Sequence, residues 1–420
     1  MGFATSYLQR HSYFGPFIPV PPRDSTSLIV VIPCYNEPGI LDSIVSLYKA
    51  ARPSFPVEVI VVVNSPLGTD RAAVLQNERT LHQVSRWSAQ HSDPDFAVHA
   101  IDVPPFPVKH AGAGFARKTG MDEAAGRFDL LNNERGIIAS FDADSTCDPN
   151  YFTELEKCFS DDRTNGCTVH FEHPLHHPGN PILNNPIVKY ELYLRYFVEA
   201  MRYSGFPWSF HTIGSCFAVN SGVYARQGGM NRKKAGEDFY FLHKLFPLGN
   251  FTELNSTRVI PSARISDRLP FGTGAAMRRL LGTHGELPTY PPESFEELSD
   301  VFGAIEAFYR ADDNAISDIT GHFSPCMLEY LALKGFAEAV VQANNNSAGP
   351  ATFKKRFFIW FNGLRILQYL NFARSHGRQD LPVSEAAGAL LERKGLIPEK
   401  TETGLLFQYR TMQREKAWKC

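Results

Sequence analysis

The stretch Ser27-Leu-Ile-Val-Val-Ile-Pro33 decides the fold that this sequence predicts. Its apolar residues are unbroken and mostly β-branched, which is typical of a strand covered on both faces. Three further runs repeat the pattern, at 57–63, 96–103 and 136–142. Because a segment able to form a helix separates each run from the next, the succession is β-α-β-α. It predicts an α/β domain with a mostly parallel sheet flanked by helices.

Weaker patterns extend this domain to about residue 275. They predict strands near 168–172, 213–219 and 258–262 and helices at 187–203 and 237–246. Beyond Pro291 the pattern becomes helical, with a polar loop at 344–350 and one amphipathic helix over 353–375. We therefore predict an N-terminal extension at 1–26, the α/β domain at 27–275 and a mainly helical C-terminal extension at 276–420.

Composition narrows the class of protein. At 420 residues and 43% hydrophobic content, the chain can bury a large core without disulfide or metal staples. The net charge of -2 is spread along the chain, so nothing favours nucleic acid as a partner. The longest apolar runs are far shorter than the roughly 20 residues that cross a bilayer. With seven cysteines, no CxxC pair and no signal-like start, we expect a cytoplasmic protein without a transmembrane segment, while peripheral membrane contact stays open.

Polar residues follow the first two predicted strands. Pro33-Cys34-Tyr35-Asn36-Glu37 ends the first strand, and Asn64-Ser65 ends the second. The carboxyl ends of parallel strands form the ligand crevice of an α/β sheet. Glu37 can therefore reach a ribose or base, and the amide of Asn64 can pair with a nucleobase edge. Ordinary turn chemistry explains either segment equally well.

Small residues and cations open a helix in the segment from Lys109 to Gly120. A helix N-terminus with nearby basic side chains attracts phosphate, so a diphosphate is a suitable ligand. The alternative is a glycine-rich helix packed tightly on the sheet. The segment is no dinucleotide fingerprint, because that motif would follow the first strand.

Asp142 and Asp144 give the strongest local signal. Two carboxylates behind a buried strand repel each other unless a cation binds them, and a hard divalent ion fits. An EF-hand is excluded because Cys147 and Thr153 occupy its glycine and glutamate positions. A plain turn leading into the helix after Asp148 remains an alternative.

A second acidic pair, Glu237-Asp238, follows Gly236 at the start of a predicted helix. Acids in a first helical turn are often only partners of the helix dipole. Considered alone, this pair is therefore ambiguous.

Six motifs, taken together in this order, resemble inverting glycosyltransferase family 2, and the resemblance spans roughly residues 27–275. They are PCYNE at 33–37, VVNS at 62–65, KHAGAGFARKTG at 109–120, FDADS at 141–145, HTIGSCFAVN at 211–220 and GED at 236–238. The resemblance implies a GT-A, Rossmann-like fold. It implies a hexosyltransferase-type enzyme that moves one sugar from a UDP- or GDP-sugar to a hydroxyl of a carbohydrate, lipid-linked or small-molecule acceptor.

The resemblance also implies which residues hold the donor. Pro33, Tyr35 and Glu37 are expected near the nucleoside. Asn64 is expected there too, although it replaces the family's usual aspartate and so leaves the base open. Arg117 corresponds to the family's helix-opening arginine and would contact the nucleotide.

Further positions are implied at the diphosphate, the metal and the sugar. Lys109 is expected to help with the diphosphate, and Gly214 and Ser215 to line the donor-sugar and acceptor pocket. Asp142 is expected near the ribose and metal-bound water, and Asp144 on Mn2+ or Mg2+ directly. These residues fall in the matching motifs.

The resemblance also assigns the catalytic chemistry to the second acidic pair, Glu237-Asp238. Asp238, with Glu237 beside it, would be the general base that deprotonates the acceptor hydroxyl in a single, inverting displacement. A processive polysaccharide synthase is disfavoured because no QxxRW-type motif follows the pair.

Two segments depart from the family's pattern. The stretch 264–274 contains no histidine to serve as a third metal ligand, and Arg268 there belongs either to a phosphate-contacting lid or to a structural loop. The histidines at 170, 173, 176 and 177 either line an acceptor pocket or bind zinc, although no zinc motif frames them.

Three alternatives remain open. A nucleotidyltransferase would need a glycine-rich loop after the first strand, where this chain has PCYNEPG. The sequence does not distinguish a retaining from an inverting GT-A transferase, because it does not show where the acceptor lies relative to Asp238. A catalytically silent sugar-nucleotide-binding or scaffold protein is opposed by the retention of both acidic pairs.

Overall fold

The computed structural model describes residues 2–91, 93–107, 112–176, 180–231, 236–265, 272–282 and 287–420. The chain forms two compact units. The first comprises Met1–Leu183, Thr212–Arg279 and Gln413–Cys420, and the second comprises Asn184–His211 and Leu280–Met412. The division at residues 26 and 275 made from the sequence stays a prediction.

An eight-stranded sheet lies at the centre of the first unit. Its strands are β1 (Leu28–Cys34), β2 (Val57–Val63), β3 (Phe96–Asp102), β4 (Ile137–Ser140), β5 (Thr146–Cys147), β6 (Gly166–Phe171), β7 (Phe217–Asn220) and β8 (Phe251–Ile260). Across the sheet they follow the order β3-β2-β1-β4-β7-β6-β8-β5.

The four apolar runs form the parallel half of this sheet. β3, β2, β1 and β4 pair in parallel, with Leu28 opposite both Val57 and Ile137. Their carboxyl ends therefore meet at one edge, where α/β sheets bind ligands. β1 and β2 are almost wholly buried, which explains why their sequences show no alternation.

The predicted last strand is wrong in its bounds. β8 runs over Phe251–Ile260, not 258–262. Residues 252–258 of this strand are polar except for Leu254, so it gives no apolar run in the sequence. It is held between parallel β6 and antiparallel β5, and this pairing, not hydrophobicity, sets its length.

Helices flank the sheet. α4 (Ala113–Leu130) packs on β1 and β2 so closely that a Cβ at Gly120 would lie 2.4 Å from Val31 and 2.6 Å from Val62. The helices of this unit are α1 (Thr5–His11), α2 (Ile40–Lys49), α3 (Arg71–Gln90), α4 (Ala113–Leu130), α5 (Tyr151–Phe159), α7 (Ser221–Arg226), α8 (Glu237–Leu245) and the start of α9 (Thr273–Gly282). α6 (Asn184–Tyr203) belongs to the second unit.

The second unit is mainly helical. The predicted single helix over 353–375 is wrong, because one helix ends at Trp360 and Asn362 caps the start of the next by accepting a hydrogen bond from the Arg365 amide at 3.1 Å. Its other elements are β9 (Pro288–Thr289), α10 (Pro292–Gly303), α11 (Asp313–Thr320), α12 (Pro325–Leu333), α13 (Phe336–Asn345), α14 (Pro350–Trp360), α15 (Gly363–Ser375), β10 (Leu381–Pro382), α16 (Val383–Arg393) and most of α17 (Glu402–Glu415).

The class predicted from the sequence is confirmed: a mixed α/β fold of GT-A type, with helices flanking the sheet and a helical C-terminal region. Seven pairings join the eight strands across the described residues, and four of them are parallel. No helix in the described ranges is long and apolar enough to cross a membrane.

Candidate functional site

A buried arginine joins the two acidic pairs. Arg117, on α4, is 2% exposed and donates from Nη2 to Asp142 Oδ1 at 2.7 Å. Its Nη1 donates to Glu237, and its Nε donates to Ser140 Oγ at 2.7 Å. Burial lowers the pKa of Arg117, but Asp142 and Glu237 outweigh that effect and raise it. The guanidinium is therefore a fixed cation between two acids that lie far apart in sequence.

Gly214 gives this arginine its space. A Cβ at residue 214 would lie 2.7 Å from the Arg117 Nη2 atom. The backbone carbonyl of Gly214 also accepts a hydrogen bond from Ser140 Oγ at 2.6 Å. Ser215, in contrast, is fully buried, with its hydroxyl 3.4 Å from the sulfur of Cys216.

Asp142 and Asp144, which form an Asp-x-Asp (DxD) pair, lie in the turn between β4 and β5. The side chains of Asp142 and Asp144 are 40% and 27% exposed, whereas Phe141 before them is completely buried. The amide of Phe141 bonds to the Val31 carbonyl at 3.0 Å and the amide of Ser145 to the Asp142 carbonyl at 3.1 Å. The turn therefore presents two partly exposed carboxylates at the carboxyl edge of the sheet.

Arg264 contacts the second aspartate. Its Nε lies 2.9 Å from Asp144 Oδ2, and its two terminal nitrogens donate to the carboxylate of Glu37. Burial lowers the pKa of Arg264, and the hydrogen bonds to Glu37 and the charge of Asp144 raise it above its ordinary value. Arg264 thus connects the turn after β1 with the DxD turn.

β-sheet register explains this contact. β5 and β8 are antiparallel, with Thr146 opposite Ile260. Asp144 precedes Thr146 by two residues and Arg264 follows Ile260 by four, so both lie just past the same end of the pair. Arg264 is the first residue of the stretch 264–274, and the sequence pattern predicts no role for it.

The turns after β1 and β2 are tied together. Asn77, on α3, accepts a hydrogen bond from the Asn36 amide at 2.8 Å and donates to the Asn64 carbonyl at 3.0 Å. Glu37 is 1% exposed and Asn64 is 6% exposed, whereas Tyr35 is half-buried beside them. The predicted nucleoside residues are therefore neighbours, and Asn77, which the sequence pattern did not single out, holds them in place.

The second acidic pair opens α8 after Gly236. Burial raises the pKa of Glu237 to about 7, although the Arg117 charge acts in the opposite direction. The pKa of Asp238 is also raised by burial, against the lowering effect of Arg117. Asp238 Oδ1 accepts from the Phe239 amide at 2.8 Å, so its carboxylate is held at the helix N-terminus. An aspartate whose pKa is raised is a stronger base once ionised.

Not every predicted residue joins this cluster. Pro33 lies within β1 itself and is half-buried. Lys109, Arg268 and His177 fall outside the described residues. Lys118, one of the cations near the start of α4, is buried and pairs with Asp122 at 2.8 Å, so it contributes to packing and not to a phosphate site.

The histidine segment does not form a metal centre where it is described. His170 is buried with its Nε2 3.2 Å from Glu172, and His173 Nε2 lies 3.3 Å from the Thr273 hydroxyl. Across the described ranges, no group of three His, Cys, Asp or Glu side chains could hold a metal ion. The zinc alternative therefore has no support from these residues.

The donor chemistry of the DxD pair fits a divalent ion that is shared with a ligand. Mg2+ is commonly held by one or two carboxylates together with substrate phosphates, not by a protein cage. Asp142 and Asp144 are two such carboxylates, partly exposed and adjacent in one turn. Each is paired with a guanidinium, so an ion would have to compete with these contacts.

The fold and this cluster define an α/β protein of GT-A type with two acidic pairs at the carboxyl edge of its sheet. No family model matches the chain, and no curated protein is significantly similar to it in sequence. Membership of glycosyltransferase family 2 therefore stays a prediction.

Solved structures give a weak likeness. TarS residues 1–349 from S. aureus, in complex with UDP-GlcNAc, has 13% identity and a TM-score of 0.40, over 81% of this chain and 91% of that one. The same protein in complex with UDP has 13% identity and a TM-score of 0.39, over 80% and 92%. A likeness at this level does not establish a function for this chain.

Proposed function

We propose that this protein is a metal-dependent, inverting glycosyltransferase that moves one sugar from a nucleoside-diphosphate sugar to an acceptor hydroxyl. One observation carries the proposal. The buried Arg117 contacts both Asp142 and Glu237 in a single cluster at the carboxyl edge of a GT-A-type sheet. The DxD pair and the second acidic pair, Glu237-Asp238, are remote in sequence but therefore belong to one site.

The residues around the turns after β1 and β2 would hold the nucleoside. Asn64 and the half-buried Tyr35 lie in turns that Asn77 fixes through hydrogen bonds at 2.8 and 3.0 Å. A rigid pair of turns lowers the entropic cost of ordering a bound nucleoside. We place the base and ribose here, with UDP or GDP as the carrier.

Asp238 would act as the general base. Its raised pKa keeps the carboxylate basic enough to take the acceptor proton while the hydroxyl oxygen attacks the anomeric carbon. The bond from that carbon to the diphosphate oxygen breaks in the same step, so the product is inverted. Glu237, paired with Arg117, holds the guanidinium against Asp142.

Asp142 and Asp144 would hold Mn2+ or Mg2+. When bound, such an ion would offset the negative charge that the departing nucleoside diphosphate carries. The acceptor would be a carbohydrate, a lipid-linked sugar or a small molecule. We place the reaction in the cytoplasm.

Calorimetric titration tests the donor assignment. The purified protein is titrated with UDP, GDP and CDP, each with and without Mn2+. We expect one nucleotide to bind in a metal-dependent manner and Asp144→Ala to lose that binding. If none of the three binds with or without Mn2+, the nucleotide-sugar function is excluded and the scaffold alternative takes its place.

A further inference from the structure

Arg264 lies where a cation is expected, between two acids of the candidate site. It contacts Asp144 at 2.9 Å through Nε and Glu37 through both terminal nitrogens. A guanidinium that forms this fork on one carboxylate and a third contact on another is fixed in orientation. Its side chain is still 35% exposed, so it can be displaced without opening the core.

Glu37 anchors this arrangement. Its side chain is 1% exposed, and besides Arg264 it accepts a hydrogen bond from the Gly39 amide at 3.1 Å. A buried carboxylate without a cation is costly, so Glu37 favours the position of Arg264 seen here. A role in positioning Arg264 explains the burial of Glu37 better than direct contact with a nucleoside does.

A divalent ion on Asp144 and the guanidinium at its present place would repel each other. Two cations on the two oxygens of one carboxylate lie only a few ångströms apart, where repulsion is strong at the low effective dielectric of a protein surface. Occupation of Asp144 by the ion therefore requires the Nε contact of Arg264 to break.

We propose that Arg264 is a built-in competitor of the divalent ion: it neutralises Asp144 while no donor is bound and leaves it when the ion and the donor diphosphate arrive together. This rests on the proposed function, since it takes Asp144 as a metal ligand. The donor diphosphate compensates the displaced guanidinium with its own negative charge. Metal alone therefore binds weakly, and metal with nucleotide binds well.

The test measures Mn2+ binding without any nucleotide, by the electron paramagnetic resonance signal of free Mn2+. Arg264→Gln should tighten Mn2+ binding by about fivefold, the size expected for loss of one partly exposed charge contact. Adding Asp144→Asn to that variant should abolish the gain. In the single variant Arg264→Gln, UDP or GDP should raise the Mn2+ affinity by a smaller factor than in the natural chain.

A matched control lies six residues earlier on the same chain segment. Arg258 is 33% exposed and pairs with Asp148 at 3.0 Å and Glu172 at 2.7 Å, but has no part in the candidate site. Arg258→Gln removes an equivalent charge and should leave Mn2+ affinity as it is in the natural chain. An equal gain in both variants would mean a general charge effect and would overturn the proposal.

Loss of Arg264 leaves Glu37 buried and unneutralised, which can unfold the chain. The double variant Glu37→Gln/Arg264→Gln removes both charges and should also bind Mn2+ more tightly. Unchanged or weaker Mn2+ binding in the folded variants, or no Mn2+ binding in any of them, overturns the competitor role. Nucleotide binding is scored separately, so a chain that binds nucleotide but fails this test keeps its proposed function.

Discussion

Arg117 shows how much depends on one side chain in this site. A fully buried guanidinium is tolerated because Ser140, Asp142 and Glu237 take its donors. Removing one partner of such a buried arrangement is costly, since the remaining charges are left uncompensated. The arginine therefore fixes the distance between the DxD turn and the start of α8.

Asp238→Asn separates binding from chemistry. The amide has the same shape but cannot accept a proton, so we expect nucleotide affinity to stay within about twofold and transfer to fall by at least about 100-fold. Calorimetry and a product assay with the nucleotide-sugar measure the two quantities. Loss of nucleotide affinity equal to that in Asp144→Ala would contradict the assignment of Asp238 as the base.

The pH dependence of transfer follows from the same residue. Burial raises the pKa of Asp238 above the ordinary 3.8. Because the base must be ionised, kcat/KM should fall as the pH drops through that raised pKa and should level off above it. The profile is measured where circular dichroism shows the chain folded. A rate that stays constant down to pH 3.8 would rule out a titrating base with a raised pKa.

At the scale of elements, the close packing of α4 on the sheet positions Arg117. Glycine at residue 120 lets the helix approach β1 and β2, since any side chain there would overlap Val31 and Val62. The glycine-rich opening of this helix had two interpretations from sequence, a phosphate site or tight packing. At Gly120 the structure shows tight packing of the helix on the sheet.

Two glycine substitutions in α4 should act in opposite directions. Gly120→Ala overpacks the interface and should lower the free energy of unfolding by about 1–3 kcal/mol. Gly126→Ala meets only Leu8 at 3.6 Å and should raise it by about 0.5–1 kcal/mol through helix propensity. Urea denaturation measures both. Stabilisation by both substitutions would show that the helix can shift away from the sheet.

On the scale of the whole molecule, the described residues of the candidate site all belong to the first unit. That unit joins segments from both ends of the chain, because the backbone of residues 418–420 bonds to β8. The second unit has its own buried charge network, in which Glu191 pairs with Arg195 and Arg410 at 2.7 Å.

Donor binding should therefore protect the first unit from hydrogen exchange. A nucleotide at 100 times its Kd adds about 2.7 kcal/mol to the stability of the state that binds it. With Mn2+ and the nucleotide selected by calorimetry, exchange should slow in the turns at 34–37 and 141–145 and at the start of α8. Binding with unchanged exchange in all three segments would place the ligand elsewhere.

The sequence by itself predicted the parallel half of the sheet and the polar turns after its strands. β1 and β2 are buried on both faces, so their hydrophobic runs are local signals that need no knowledge of partners. Because the carboxyl ends of parallel strands form the ligand crevice, the sequence also predicted that Glu37 and Asn64 lie at that edge of the sheet. The role of each in catalysis stays a prediction.

Only the tertiary structure decided how the charges are paired. Arg264 meets Asp144 because β5 and β8 are antiparallel with Thr146 opposite Ile260, and only the end of β8 is recognisable as a strand from the sequence pattern. Arg117 meets Glu237 because α4 and α8 are brought together by the sheet, 120 residues apart in sequence. Such contacts depend on strand register and close packing, which are properties of the folded chain and leave no periodic signal in the sequence.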